Sequence, residues 1–186
     1  GIPREIPRLL TEYAAGRPGS ITIDVAGSTR PHVMTVDPRD VLGDALPATL
    51  KRPDFLAIIS VHSLATYLFR DEEIRADGFV VEGPIAGGHS APPRGKMSLD
   101  ERGDPVYGDR DMADLAKIRD VGLPFWAAGA YGTPEAVAEA VAAGAAGVQC
   151  GTVFALSTDS GLEPHIRRQM VDDLRRGELS VRNDPR

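Results

Sequence analysis

The residues Phe125-Trp126-Ala127-Ala128-Gly129-Ala130-Tyr131-Gly132-Thr133-Pro134-Glu135 carry the clearest indication of the fold of this chain. The first four are apolar and predict a buried strand. After two glycines, Thr133 offers a helix N-cap, Pro134 suits the first helical turn, and Glu135 lies near the positive end of the helix dipole. The stretch therefore predicts a strand that leads through a short glycine loop into a helix.

The same strand-then-helix unit occurs four times between Phe55 and Gly177. Parallel strands need crossover connections of this kind, so the units predict a parallel sheet in an α/β protein. A complete (β/α)8 barrel takes about 250 residues. With only four units, we predict the later half of a TIM-type (β/α)8 barrel. The four predicted strands are Phe55–Val61, Phe79–Val81, Phe125–Ala128 and Val148–Cys150.

The spacing of apolar residues predicts which helix faces are buried, and glycines predict where helices end. One helix begins near Asp111, after a long polar loop from Ser90 to Arg110. The predicted buried residues are Leu64 and Leu68 in the first crossover helix, Met112, Leu115 and Ile118 in the second, Val137 and Val141 in the third, and Ile166, Met170 and Leu174 in the last; the helix-ending glycines are Gly122, Gly144 and Gly177.

The region before the first unit has a different pattern. Residues 3–14 predict a short helix, and the alternating runs Ile21–Val25 and Val33–Val36 predict an antiparallel excursion. We expect a single domain over residues 1–186, with the helix and β excursion in 1–54, the four units in 55–177 and a tail in 178–186. A half-barrel leaves unpaired strand edges, so we expect a homo-oligomer or a longer chain that supplies the N-terminal half.

Composition argues against several functional classes. The formal net charge of −6 speaks against nucleic-acid binding, which normally requires a basic face. Cys150 is the single cysteine, so neither a disulfide framework nor a cysteine-rich zinc site is available, and we expect no metal and a reducing, cytoplasmic location. No apolar run approaches the length of a membrane span, and we expect no membrane association.

A second glycine loop, Glu82-Gly83-Pro84-Ile85-Ala86-Gly87-Gly88-His89, follows the second strand. Adjacent glycines allow the backbone to approach a flat or anionic ligand closely, and His89 adds a titratable imidazole. A third loop, Gly151-Thr152, follows the fourth strand. Because chemistry in such folds lies at the carboxyl ends of the strands, the three loops predict one ligand at one face of the sheet.

The loops after the third and fourth strands favour a phosphate group. Gly129–Thr133 opens directly into a helix, whose first N–H groups and dipole attract anions. Gly151 and Thr152 add a backbone donor and a hydroxyl group. The alternative is that these glycines serve tight turns only; we favour phosphate because two neighbouring loops agree.

Taken together and in order, these motifs resemble the flavin-binding elements of the nitronate monooxygenase (2-nitropropane dioxygenase-like) family. The resemblance implies a barrel that contains FMN and uses oxygen to convert an alkyl nitronate, a small anion, into a carbonyl compound and nitrite. It runs from about Phe55 to Leu162, and stretches near Gly1–Pro7 and Ser90–Lys96 extend it. The motifs are Glu82–His89, Ala127–Gly132 and Gly147–Thr152.

The resemblance also assigns roles to single residues. It implies that His89 is the catalytic residue, acting as a base or orienting the anion beside the flavin. Family members often have glycine where this chain has Ala130. The residues expected to bind the cofactor are Gly87 and Gly88 near the flavin, Gly129 and Gly132 at its phosphate, and Gln149, Gly151 and Thr152, which complete the grip.

Other candidates have a second interpretation that is equal or stronger. Glu82 orients His89 or a flavin hydroxyl, or pairs with a nearby cation; His62 lines the pocket or caps a helix. Arg94 and Lys96 are more simply solvated than part of a lid. Cys150 is expected to be a small buried hydrophobe, and Trp126 a packing residue.

Two other functions remain open from the sequence. An FMN-dependent enoyl reductase would use the same scaffold with NAD(P)H as electron donor. A non-catalytic phosphate-binding half-barrel would bind its ligand without flavin absorbance, and its properties would not depend on His89.

Overall fold

The computed structural model describes residues 5–184, in which helices alternate with strands. By their internal contacts these residues form two compact units. The first unit comprises the chain up to Ala57 together with Ser63–Phe79, and the second comprises Ile58–His62 together with the chain from Val80 onward. The single domain expected from chain length stays a prediction.

The first unit begins with a helix that packs on a β-hairpin. Helix α1 (Ile6–Ala14) precedes the antiparallel strands β1 (Gly19–Ile23) and β2 (His32–Val36). A Cβ atom at Gly19 would lie 2.6 Å from Leu9 Cδ1 and 3.2 Å from Leu9 Cα, so glycine allows the close approach of α1 and β1. The predicted N-terminal β excursion is confirmed. A short helix α2 (Pro38–Leu42) follows, capped by the Asp37 side chain.

Four strands form a parallel sheet in the order β3 (Leu56–Ile59), β4 (Gly78–Glu82), β6 (Phe125–Ala128) and β7 (Gly147–Gln149), which confirms the predicted α/β class with βα units. This open sheet with crossover helices is the arrangement expected of part of a (β/α)8 barrel. The other helices and strands that follow α2 are, in chain order, α3 (His62–Arg70), β5 (Gly88–His89), α4 (Leu115–Arg119), α5 (Pro134–Ala142), α6 (Thr152–Ala155), α7 (Pro164–Arg176) and β8 (Asn183–Asp184).

The core is built on the middle of this sheet. Phe79 in β4 and Phe125 in β6 are among the largest fully buried side chains, together with Ile59 and Ile118. Gly78 through Val81 are all buried. A strand that is buried along nearly its whole length is expected in a parallel sheet, because helices cover its faces.

A carboxylate clasp within the first unit fixes the start of the sheet. Asp77 Oδ2 accepts hydrogen bonds from Phe55 N and from Arg52 Nη1, each over 2.7 Å. Burial raises the pKa of Asp77, but the Phe55 N–H and the Arg52 guanidinium outweigh this effect and hold the pKa below its ordinary value. The ionised clasp therefore joins the residue before β3 to the residue before β4.

Several predicted helix faces are wrong. Met112 is 57% exposed because α4 begins only at Leu115, where Asp114 Oδ1 accepts from Lys117 N over 3.1 Å. Helix α5 buries Ala140, whereas Val141 is 53% exposed. In α7, Ile166 and Leu174 are also exposed. The predicted helix-ending glycines Gly122, Gly144 and Gly177 have φ values of +88°, +98° and +73°, in the left-handed region.

Neither a membrane span nor a metal cluster is found among residues 5–184. None of the helices there combines the length and the apolar composition needed to cross a bilayer. Likewise, no group of three or more His, Cys, Asp and Glu side chains in this range is arranged to hold a metal ion.

Candidate active site

The loops after β4, β6 and β7 line one cavity of about 530 Å³ in the second unit. Gly83 N–H donates to Ala128 O over 3.1 Å, which ties the exit of β4 to the end of β6. The Cys150 thiol donates to Tyr131 O over 3.2 Å, which joins the loops after β7 and β6. The carboxyl ends of three strands therefore converge on one site, where parallel sheets usually hold their ligands.

Six of the seven residues predicted to bind a cofactor line this cavity. The seventh, Gly88, precedes His89 in β5 and does not contribute to the lining. The side chain of His89 lies outside the part of the structure that is described, and its catalytic role stays a prediction. The six lining residues are Gly87, Gly129, Gly132, Gln149, Gly151 and Thr152.

The loop after β6 is tightly constrained by its backbone. Gly129 has a φ of +96°, and a Cβ atom there would lie 3.1 Å from Ala86 N. Ala130 has a φ of +59° and is the one non-glycine residue with positive φ among residues 5–184. L-residues other than Asn and Asp rarely adopt this conformation. This explains physically why glycine suits position 130 better than alanine.

Helix α5 begins at the edge of the cavity. Thr133 has extended backbone angles, and its hydroxyl oxygen accepts from Ala136 N over 3.2 Å. Pro134 occupies the first turn, as the sequence predicted. The positive end of the α5 dipole therefore lies next to Gly132 and Thr133, both of which line the cavity.

The loop after β7 leaves open space on its cavity side. A Cβ atom at Gly151 would meet no atom within 4 Å. Gly151 is the N-cap of α6, a short helix that the sequence did not predict, and no side chain caps it. Thr152, in the first turn of α6, also lines the cavity. This loop can therefore offer backbone N–H groups and a hydroxyl group to a ligand, because the packing of the protein does not occupy the space beside Gly151.

An apolar wall of the cavity was missed from the sequence. It consists of Leu174 near the end of α7 and of Leu179 and Val181 in the segment beyond it. The sequence assigned Leu174 to a buried helix face and residues 178–186 to a tail. The sequence does not predict that Leu179 and Val181 line a cavity, because two alternate apolar residues are too few for a periodic signal.

Glu82 lines two cavities. Besides the large one, it lines a cavity of about 20 Å³ together with Ser60 and Tyr107. A volume of this size holds roughly one water molecule. A carboxylate at the end of β4 is thus placed to meet either a ligand or a bound water.

The long loop after β5 is ordered by two side chains. Asp111 accepts from Arg94 N over 2.7 Å and from Gly108 N over 2.8 Å. The Tyr107 hydroxyl donates to Ala91 O over 3.1 Å and lies 3.0 Å from the hydroxyl of buried Ser90. The backbone that follows His89 is therefore anchored at several points.

A hairpin turn lies within this loop. Asp100 Oδ1 accepts from Arg102 N and from Asp104 N, each over 2.8 Å. The Asp104 N–H is the main cause that holds the pKa of Asp100 below its ordinary value, aided by Arg102 and by Arg182. The charged form of Asp100 therefore stabilises this turn.

Some of the weaker candidates line a cavity and others do not. Arg94 lines the small cavity, whereas Lys96 is exposed and lines neither of the two. His62 begins α3 and is not part of either lining. Trp126 packs on Gly147, where a Cβ atom would lie 3.1 Å from the indole Cδ1. Cys150 is half-buried and lines the large cavity, so the expectation of a buried hydrophobe is wrong.

The chain is similar to known proteins in both sequence and structure. The family model described as nitronate monooxygenase matches residues 12–179. A Mycobacterium tuberculosis protein named (3aS,4S,5R,7aS)-5-hydroxy-7a-methyl-1-oxo-octahydro-1H-indene-4-carboxyl-CoA dehydrogenase is 33% identical over 96 residues, which cover 52% of this chain and 24% of that protein.

Two solved structures of FabK from Thermotoga maritima also resemble the chain. A mutant form has 26% identity and a TM-score of 0.47, and the match covers 64% of this chain and 35% of the FabK chain. The other FabK structure has 29% identity and a TM-score of 0.45, with coverages of 61% and 31%. The chain thus spans about a quarter of the curated relative and about a third of these structures.

Proposed function

The chain belongs to the nitronate monooxygenase family of flavin-dependent oxidoreductases, and on that basis we propose that it binds FMN in the large cavity and oxidises a small alkyl nitronate. The observation that carries the proposal is the convergence of three glycine loops on one cavity of about 530 Å³. This volume lies within the range of about 300 to 1,000 Å³ that is usual for small-molecule sites.

The phosphate of FMN would bind between the loops after β6 and β7. Gly132 and Thr133 lie at the positive end of the α5 dipole, which favours an anion. Gly151 faces open space, and Thr152 adds a hydroxyl group. These residues offer the phosphate backbone N–H groups and hydroxyl groups as hydrogen-bond donors, and none of them carries a positive charge.

The flavin ring would lie toward the apolar side of the cavity. Ile85 and Ala86, from the loop after β4, line it together with Leu174, Leu179 and Val181. Apolar side chains exclude water from a flat ring and leave orientation to a few polar groups. Glu82 and Gln149 are the polar side chains of the lining best suited to orient the ring or its ribityl chain.

When bound, FMN supplies the electron transfer between nitronate and oxygen that yields a carbonyl compound and nitrite. The chain's own task is to hold the anion beside the ring and to handle protons. We assign proton handling, or orientation of the anionic nitro group, to His89. The hydrogen bonds of Tyr107 and Asp111 hold the backbone that follows His89.

Flavin titrations test the phosphate grip. We expect the protein to bind FMN more tightly than riboflavin. Gly151→Glu brings a negative charge to an open position, and should weaken FMN binding by about tenfold, equivalent to 1.4 kcal/mol, while riboflavin binding changes less. Gly161→Glu is the matched control, because a Cβ atom there also meets nothing within 4 Å and Gly161 does not line the cavity. Equal affinities for FMN and riboflavin would contradict the grip.

Nitrite release from a simple nitronate, under air and with FMN supplied, tests the reaction. We expect turnover that His89→Ala abolishes or strongly reduces. Flavin binding with no nitrite in any preparation would exclude nitronate oxidation. Turnover that His89→Ala leaves unchanged would remove His89 from the mechanism.

A flavin-dependent reduction driven by NAD(P)H is the second candidate. Where the apolar wall formed by Leu174, Leu179 and Val181 extends beyond the flavin ring, it suits a larger apolar substrate better than a small anion, which favours this candidate. The Mycobacterium tuberculosis relative is named as a dehydrogenase of a carboxyl-CoA compound. Anaerobic bleaching of bound FMN by NADPH, without nitronate, would support this candidate over the first.

A further inference from the structure

The segment Leu179–Asp184, the C-terminal strap, runs across the loop that follows β4. It leaves α7 through Gly177, whose left-handed conformation ends the helix. Strand β8 then pairs in parallel with β5, with Gly88 opposite Asn183 and His89 opposite Asp184. Gly88 N–H donates to Arg182 O over 2.9 Å. The strap therefore adds one short strand beside β5, at the end of the glycine loop that follows β4.

A side chain of the strap fills the space over Gly87. A Cβ atom at Gly87 would overlap Val181 Cγ1 and would lie 3.1 Å from Val181 Cβ. Valine has a short, stiff side chain that cannot turn away easily. Gly87 therefore lacks a side chain because the strap needs the room, and not only because a ligand needs it.

An ion pair holds the strap from its other side. Arg182 Nε donates to Asp104 Oδ1 over 2.9 Å, and Arg182 Nη2 donates to Arg102 O over 2.9 Å. Both acceptors belong to the hairpin turn organised by Asp100. The strap is thus fastened between the glycine loop and the long loop after β5.

We propose that Val181 is a specificity-determining residue, which the strap seats against Gly87 and which limits the bulk of the substrate that the cavity accepts. Val181 and Leu179 both line the large cavity, so the strap forms part of its wall. The inference deepens the proposed function and rests on it, because the substrate in question is the nitronate. Removing methyl groups from Val181 enlarges the cavity at a single place.

The seating of the strap is tested by hydrogen–deuterium exchange of residues 179–184 in the full chain without ligand. Gly87→Ala should raise exchange there by about tenfold or more, because the new methyl group displaces Val181. Adding Val181→Ala should reverse most of this increase. Gly83→Ala is the matched control: its Cβ atom would lie 3.7 Å from Ala128 O, an ordinary contact. Unchanged exchange in Gly87→Ala would overturn the seating.

Specificity is tested by comparing ethyl nitronate with hexyl nitronate. Val181→Ala should raise the ratio of kcat/KM for hexyl over ethyl nitronate by about tenfold, the usual effect of a small change in an apolar pocket. An unchanged ratio would overturn the role of Val181 even if the strap is seated as described.

The two proposals fail in different ways. If the protein binds no flavin, the proposed function fails and the specificity role fails with it, while the exchange measurements still decide how the strap is seated. If flavin binds and nitronates turn over but Gly87→Ala leaves the strap unaffected, only the inference about Val181 fails.

Discussion

Gly87 and Gly151 line the same cavity from two different loops, and their surroundings differ. At Gly87 the chain itself fills the space that a side chain would take, with Val181 of the C-terminal strap. At Gly151 no atom lies within 4 Å of that position. A glycine at a site therefore has two distinct physical reasons, close packing of the chain or room for a ligand, and only the surroundings distinguish them.

The remaining glycines of the cavity divide in the same way. Gly129 resembles Gly87, because a Cβ atom would press on the backbone of Ala86. Gly132 resembles Gly151, since its Cβ atom would make only an ordinary contact of 3.7 Å with Val153. This separates packed glycines, 87 and 129, from open glycines, 132 and 151. A ligand is expected to contact the open ones most directly.

Added FMN should distinguish these groups most clearly. At a concentration 100-fold above Kd, FMN should raise the free energy of unfolding by about 2.7 kcal/mol. In hydrogen–deuterium exchange, protection should be greatest at residues 131–133 and 150–153 and smaller at 83–88. Greatest protection at 83–88 would show that the flavin contacts the packed glycines most directly, which would contradict the division between packed and open glycines.

Alanine substitutions in one loop test the same division without a ligand. Gly129→Ala should lower the free energy of unfolding by about 2 kcal/mol, because alanine is strained at a φ of +96° and presses on Ala86. Gly132→Ala should change it by less than about 0.5 kcal/mol. Urea denaturation measures both. Equal losses would show that the open glycine is also required by the fold.

Acid should loosen the C-terminal strap, which packs on Gly87, more than the loops that hold the open glycines Gly132 and Gly151. The folded pKa of Asp100 lies below its ordinary value, so its stabilising effect is full above that ordinary value, about 3.9, and is lost as pH falls through the folded pKa. Because this turn holds Arg182, exchange in residues 179–184, corrected for its intrinsic pH dependence, should rise below about pH 4. Asp100→Asn should loosen the strap already at neutral pH and weaken this pH dependence.

Ala130→Gly should give a small change in the stabilising direction. Relief of the positive φ should outweigh the entropy cost of glycine and raise the free energy of unfolding by about 0.5 kcal/mol. Ala138→Gly, in the exposed face of α5, should instead lower it by about 1 kcal/mol. If both substitutions destabilise the protein equally, the backbone at position 130 is not strained.

The sequence predicted the sheet and its glycine loops because their signals are local. Apolar runs mark the strands, and Thr133 with Pro134 marks the start of α5. The periodic pattern extends across Asp114 and so predicts a buried Met112, whereas the Asp114 cap starts the helix later. Burial of Ala140 in place of Val141 reflects close tertiary packing, which periodicity alone does not reveal.

The strap was beyond reach of the sequence for a different reason. Its position depends on pairing between Gly88 and residues near Arg182, which are far apart along the chain. Neither segment carries a periodic pattern of useful length. The two glycines of the loop after β4 were visible, but the sequence could not show that Val181 occupies the space over the first of them.

The clasp at Asp77 has a consequence for how the first two strands of the sheet align. It joins Phe55 to Asp77, and each of these residues immediately precedes a strand. In β3, Ala57 and Ile59 are buried while Leu56 and Ile58 are exposed. Because neighbouring strand residues point to opposite faces, a slip by one residue would exchange these pairs. One carboxylate thus helps to select which two side chains of β3 enter the core.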